Sequence, residues 1–332
     1  MTAPNDGYYR HALQSLGIPV IVDAMLLSRQ EPALNFAKNF DAVIANTVMT
    51  WPAVRQLANF VDLYWYLHES ELIEELVNTD PELRVALSGA KDVWVASVRG
   101  ERYVRRYRKD VFSLECGLDE WPAAKSGVAI PPPGAEVPIV ISVIGSYEPR
   151  KGQDLAVLGV RGLPAEIAGK CELRLFGRVL DSAFHAKVLS LARGAPNILV
   201  GGELTPDQCL DELQKSDIVL VPSRDDVLSL VALDALRAGK VLICSPAVGV
   251  VEYLKTPNCA LIAQSASAGD LGDAIVRAIN QRDTWPSIGR EARKVFERNF
   301  SMQKFERRLL ERLGLRARSE SAEPPVSIAT AG

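Results

Sequence analysis

Net charge, histidine, paired cysteines and long apolar runs are all scarce in this 332-residue chain, and each shortage removes a class of function. Lys and Arg number 38 against 41 Asp and Glu, a net charge of −3, so no global positive field exists to hold nucleic acid. The five cysteines, Cys116, Cys171, Cys209, Cys244 and Cys259, are scattered without a CxxC pair. That argues against a disulfide framework or a zinc site and for reduced thiols in the cytoplasm. Histidine occurs only as His11, His68 and His185, which leaves little for a histidine-based triad or metal site. No stretch approaches the roughly eighteen uninterrupted apolar residues of a membrane span. The opening MTAPNDGYYRHALQSLG has neither the basic start nor the apolar core of a signal peptide, so a soluble chain is expected.

Several catalytic motifs are also missing. The Gly-Lys pairs at 169–170 and 239–240 have Pro164 and Asp234 where a P-loop needs its first glycine. No GxGxxG follows a strand, which removes the amide cradle of a dinucleotide enzyme. There is no GxSxG elbow and no HExxH.

What is present is an ordinary globular composition, 48% apolar and 24% charged, enough to bury full cores and to exclude bulk disorder. At roughly 150 residues per domain the length predicts two domains. Short β-branched runs alternate with helical patterns almost from end to end, which predicts an α/β fold with parallel sheets. Strands are expected over 18–24, 40–47, 62–67, 92–97 and 111–117 in the first half. The second half predicts them over 138–146, 171–177, 197–202, 217–223, 241–246 and 259–263. AIPPPGAEVP separates the halves, because three prolines and a glycine exclude helix and central strand alike. The predicted domains are therefore 1–130 and 131–313, with a disordered Ser/Glu/Pro-rich tail over 314–332.

The chemistry concentrates in the second half. VISVIGSYEPRKGQDLAVLGV reads as a strand, a loop with Gly145, Ser146 and Lys151, and a helix; a lysine at the carboxyl end of a parallel strand suits a diphosphate. DIVLVPSRDDVLSLVALDALRAGK is a second strand, turn and helix, with seven residues between Asp226 and Asp234. Asp226 is placed to cap the helix, whose amino end welcomes a phosphate. Asp234 sits mid-helix, where a buried acid needs a partner such as ribose hydroxyls. Each segment also fits a plain solvated loop and a half-exposed helix acid.

Together these residues resemble the nucleotide-sugar-binding half of glycosyltransferase family 4, retaining group 1 enzymes of the GT-B fold. IGSYEPRKGQD carries the family's strand-end glycine and Lys-Gly; PSRDDVLSLVALDALRAGK carries its Pro-Ser and its two acids seven residues apart; SPAVGVVEYL resembles its Gly-Gly-x-x-Glu segment, with Gly249 and Glu252 retained. The resemblance implies two facing Rossmann-like doubly wound domains, the N-terminal one incomplete. Lys151 would neutralise the donor diphosphate, Asp226 would contact the donor sugar and Asp234 would hold the ribose. Gly145 and Gly249 would admit the ligand close to the backbone, and the amides of Val227, Leu228, Ser229 and Leu230 would lie near the phosphates and sugar. DLYWYLHES resembles the family's strand ending in His-Glu, which makes His68 a catalytic candidate beside Glu69; a lone histidine after a strand also fits a structural role. LECGLD resembles the segment that closes the first domain, with Cys116 in its Asn position.

The implied activity is sugar transfer from a UDP-, GDP- or ADP-sugar to a glycan or lipid-linked acceptor, of the kind used in polysaccharide or cell-envelope synthesis, with no metal and no further cofactor. Asp225 and Asp226 are accordingly not read as a metal-binding pair. The alternative is a catalytically impaired descendant that binds a nucleotide or a partner protein. Two departures favour it: both family glutamates are aspartates here, each shorter by about 1.5 Å, and the first part of the family's N-terminal domain is missing; Ser146 stands where many members carry arginine, but other members carry Ser there. The opening MTAPNDGYYRHALQSLGIPVIV resembles the helix before the family's third strand, as a fragment, a late translation start or a natural truncation would. VRGERYVRRYRKD, residues 98–110, is the concentrated basic run; it predicts either a solvated helix face or a weak contact with anionic headgroups at the inner face of the membrane.

Overall fold

The computed structural model describes residues 1–7, 10–24, 36–121 and 138–315, which form three parallel sheets. β1 (Thr2–Ala3) pairs with β2 (Ile21–Val22). β3 (Val43–Asn46), β4 (Leu63–Leu67), β5 (Asp92–Val95) and β6 (Phe112–Ser113) lie side by side in sequence order. β7 (Ile139–Ile144), β8 (Cys171–Phe176), β9 (Ile198–Val200), β10 (Ile218–Val221), β11 (Val241–Cys244) and β12 (Leu261–Ile262) build a sheet ordered β12-β11-β10-β7-β8-β9. Most of the proline-rich boundary and all of the tail beyond Leu315 lie outside the described residues.

Period-two side-chain alternation explains why the six-stranded sheet is buried on both faces. Ile218 and Leu220 of β10, with Val241 and Ile243 of β11, join a core covered by the helices Gln153–Arg161 and Ala268–Asn280. Val219, Val221, Leu242 and Cys244 face the other way, under the helices Leu230–Ala238 and Trp285–Asn299. The chain winds outward from β7 to β9, then returns to the far side of β7. That reversal puts a topological switch point between β7 and β10, where sheets of this kind bind ligands outside their carboxyl ends.

The first sheet has its own core around Leu63, Trp65, Leu67, Val93 and Val95. The last helix, Met302–Arg312, crosses back to it, setting Phe305 and Leu309 against Tyr64, Trp94 and Leu114. Gly117 permits the crossing, because a Cβ there would lie 2.7 Å from Phe305 Cβ and 2.8 Å from Met302 Cα. The amino end departs from expectation. A short strand, β1, precedes the helix Arg10–Ser15, held by hydrogen bonds from the Ile21 amide to Met1 and from the Asp23 amide to Ala3. The strand predicted over 18–24 contracts to β2 and pairs with β1 rather than with β3.

The loops that follow β7 and β10 touch through Gly152. Its φ is +71°, and a Cβ would lie 2.2 Å from the Pro222 carbonyl oxygen. Replacing it combines left-handed strain with a backbone clash. Gly152→Ala is expected to cost at least about 2 kcal/mol in urea unfolding; an unchanged midpoint would contradict this packing.

Candidate functional site

Lys151 and Asp226 meet at the switch point, Lys151 Nζ donating to Asp226 Oδ2 at 2.7 Å. Lys151 ends a one-turn 3₁₀ segment, Pro149–Lys151, between β7 and Gly152. The loop is fastened by Arg224, whose guanidinium donates to the Pro149 carbonyl at 2.6 Å and to both carboxylate oxygens of buried Asp154 at 2.9 and 3.0 Å. Burial pushes the Asp154 pKa up, but hydrogen bonds from Arg224 and Lys187 outweigh it and hold the carboxyl below its ordinary value. The support under Lys151 is thus fully charged at neutral pH.

The helix Leu230–Ala238 is capped by Ser229, whose Oγ accepts the Ala232 amide at 3.4 Å, and not by Asp226. Asp226 lies four residues ahead of the helix. Its backbone is held by Ala247 and Gly249 and its side chain by Lys151. Among the described residues no hydrogen bond uses the amides of Val227, Leu228, Ser229 or Leu230. Ser229, which opens the helix, lines one small gap with Lys151 and Asp226, while Val227, Leu228 and Leu230 line the larger cleft.

The other expected residues fall around this pair. Gly145 is the residue after β7, and an added Cβ would meet only the Lys151 side chain, at 3.8 Å. Ser146 Oγ donates to Glu148 at 2.7 Å. At Gly249 the close approach comes from the chain itself, since a Cβ would lie 1.7 Å from the Val227 carbonyl oxygen. Asp234 has a protein partner: Arg237, one turn on, donates to its Oδ1 at 2.5 Å while stacking on Trp121. Burial raises the Asp234 pKa, against the pull of Arg237. Glu252 accepts from Arg102 at 2.5 Å across the two lobes.

Asp225, passed over in the sequence, reaches the opposite way from Asp226. It accepts from Arg99 at 3.0 Å and from the Ser70 hydroxyl, both on the first lobe. Ser97 Oγ donates to the Val227 carbonyl at 2.5 Å, and the Tyr253 hydroxyl bridges the Val98 amide and Glu115. The one signal for these contacts in the sequence is Ser97, a capping residue directly before a helix. The basic run 98–110 changes meaning accordingly. Arg99, Arg102, Arg105 and Arg106 pair with Asp225, Glu252, Glu101 and Glu74, and Arg108 donates to the carbonyls of Leu87 and Ala90. Arg102, Arg105 and Arg106 stay about half or more exposed in these pairs, at 60, 49 and 61%, as a solvated helix face would.

Between the lobes lies a cleft of about 700 Å³, with His68, Ser70 and Leu72 on one wall and Arg150, Asp226, Leu228 and Leu230 on the other. His68 opens onto it. Its Nε2 lies 2.6 Å from Asn46 Oδ1, and Glu69 fixes the loop by accepting the amides of His68 and Val48 at 2.9 and 3.0 Å. Desolvation lowers the His68 pKa from its ordinary value of 6.5. His68 is therefore neutral at pH 7. With a depressed folded-state pKa, its contribution to stability is present above the unfolded value and is lost as pH falls through the folded one. Imidazole NMR should show His68 titrating below 6.5, and a midpoint at or above that value would refute the assigned environment.

Comparison with known proteins bears on the fold and the family. Residues 132–295 match the family described as glycosyl transferases group 1. An uncharacterized glycosyltransferase of Methanocaldococcus jannaschii is 23% identical over 163 residues, 48% of this chain and 44% of that protein, so the match spans less than half of its length. Among solved structures, Anabaena HepE in complex with UDP and glucose has a TM-score of 0.78 at 16% identity, over 94% of this chain and 90% of that one. Sucrose-phosphate synthase of Thermosynechococcus elongatus gives 0.69 at 18%, over 83% and 74%. The UDP-forming trehalose-phosphate synthase of Burkholderia xenovorans, in complex with glucose-6-phosphate, gives 0.69 at 13%, over 82% and 74%. The chain has the GT-B fold, and its residues 132–295 are similar to the group 1 glycosyl transferases.

Proposed function

We propose that the protein transfers a sugar from a UDP-sugar to a hydroxyl of a glycan or lipid-linked acceptor, with retention at the anomeric carbon and without a metal. One observation carries this reading: at the switch point of a doubly wound sheet the Lys151 ammonium shares one small gap with Asp226 and with Ser229, the residue that opens the helix Leu230–Ala238. When the bond from the anomeric carbon to the diphosphate breaks, negative charge grows on the departing oxygen. Fixed donors already aimed at that position stabilise it without reorganisation. Lys151 and the amides of residues 227–230 supply such donors. Asp226 would then face the donor sugar, Asp234 would take the ribose hydroxyls through the oxygen that Arg237 leaves open, and His68 would approach the sugar from the opposite wall. Structural neighbours bound to UDP-glucose or described as UDP-forming support uridine as the donor base.

The Lys151–Asp226 ion pair favours a second reading, a protein that binds the nucleotide and transfers nothing. Aspartate at 226 and 234 shortens both acids by about one bond length, 1.5 Å. A lost charged hydrogen bond to the sugar would cost about 1.5–3 kcal/mol, and each 1.4 kcal/mol is tenfold.

Lys151→Ala should weaken UDP binding at least tenfold in calorimetry; unchanged affinity removes the assigned seat. The double variant Asp226→Glu with Asp234→Glu should raise the turnover of UDP-glucose by transfer or hydrolysis. If that variant binds UDP and stays inert, the non-catalytic reading holds.

A further inference from the structure

The turn after β7 is pinned from two directions, and the pinning leaves a single amide unused. Gly145 N donates to the Phe176 carbonyl at 2.9 Å and Tyr147 N to the Arg178 carbonyl at 2.8 Å, so both flanking amides are tied to the segment that ends β8. Gly177 makes that contact feasible, because a Cβ there would lie 1.8 Å from the Gly145 carbonyl oxygen. From below, Gln153 Nε2 donates to both carbonyls of the turn, Gly145 at 3.0 Å and Ser146 at 2.8 Å. Gln153 is fully buried, and its own Oε1 has no partner among the described residues. The orientation is dictated by chemistry: a flipped amide would set Oε1 against two carbonyl oxygens.

A buried, unsatisfied acceptor is a standing cost that native proteins seldom carry without a reason. The reason here lies in the other end of the side chain. In a trans peptide the carbonyl of one residue and the N–H of the next point in opposite directions. Drawing the Gly145 carbonyl down onto Gln153 therefore turns the Ser146 N–H away from the core. Among the described residues that N–H donates to nothing. Gly145 and Gln153 line the same small gap as Lys151, Asp226 and Ser229.

We propose that Gln153 is a positioning residue for the donor diphosphate: by holding the carbonyls of Gly145 and Ser146 inward, it keeps their negative ends away from the phosphates and presents the Ser146 amide to them beside Lys151. This inference rests on the nucleotide-binding reading above and adds a donor that no side-chain motif announces. A residue that merely filled space would affect every ligand of the cleft alike; a residue that aims an amide at phosphate affects only ligands that carry phosphate.

The test compares UDP, by calorimetry, with uridine, by NMR titration, for the wild-type chain, Gln153→Leu, Gln153→Glu and Lys151→Ala. The expected result is a loss of at least tenfold in UDP affinity for Gln153→Leu and a larger one for Gln153→Glu, with uridine changed less than twofold in both. Equal losses for UDP and uridine, or no loss for UDP, overturn the proposal. If Gln153→Leu fails to fold by circular dichroism, the near-isosteric Gln153→Glu carries the comparison. Should Lys151→Ala lose UDP while the Gln153 variants keep it, the positioning role alone falls. Should the wild-type chain bind no UDP, the donor-site reading falls and takes this inference with it.

Discussion

The contact on which the rest depends is the crossing of the loops after β7 and β10. Gly152 lies against the Pro222 carbonyl, Arg224 ties Pro149 to Asp154, and Lys151 reaches Asp226 across the same junction. None of these contacts is local in sequence; some seventy residues separate the two loops. The strand order brings them together, because β7 and β10 become neighbours only when the chain doubles back past its own first strand. A glycine in the left-handed region then lets one loop rest on the other with no side chain between them. The ammonium of Lys151 and the amino end of the helix Leu230–Ala238 share one small space for that reason.

The segment from Asp225 to Ser229 faces both lobes at once. Asp225 turns to Ser70 and Arg99, the Val227 carbonyl receives Ser97, and Asp226 turns inward to Lys151. Adjacent carboxylates pointing in opposite directions let this pentapeptide join the loop of Lys151 to the first lobe. The last helix completes the link by packing Phe305 and Leu309 on the first sheet, while Arg308 donates to Glu115 beside the Tyr253 hydroxyl. The two lobes meet through buried polar contacts as much as through apolar area, and these contacts lie next to the site.

Strands such as Ile139–Ile144 and Ile218–Val221 are legible in the sequence because β-branched runs buried on both faces have no polar alternation to confuse them. Lys151, Asp226 and the helix start after them are legible for a related reason, since each stands where a parallel strand ends. The errors have a common cause. Asp226 was assigned the capping role because it is acidic and near the helix, yet Ser229 is equally suited and lies at the residue where the helix begins. The partners of Arg99 and Arg102 are not legible in the sequence, because Asp225 and Glu252 sit about 125 and 150 residues away. Gln153 and Gly177 carry no motif; their roles exist only once the turn after β7 has been folded between them. Arg237 is the exception, since its i,i+3 spacing from Asp234 offered the partner that the buried acid required.

The ion pair at the switch point also determines which partner yields when an anion arrives. Asp226 has a short side chain on a backbone fixed by hydrogen bonds to Ala247 and from Gly249, and it forms a bridge with Val248. Its carboxylate has little freedom to move. Lys151 carries four methylenes and is the more exposed of the two, 21% against 7%. A diphosphate would attract the ammonium and repel the carboxylate, so the lysine is the partner free to turn while the aspartate holds its place. The affinity for such an anion would then be the difference between two charge pairs on one lysine, not the sum of new contacts. On the proposed reading, an acid at position 226 would set the strength of donor binding before it touched any sugar.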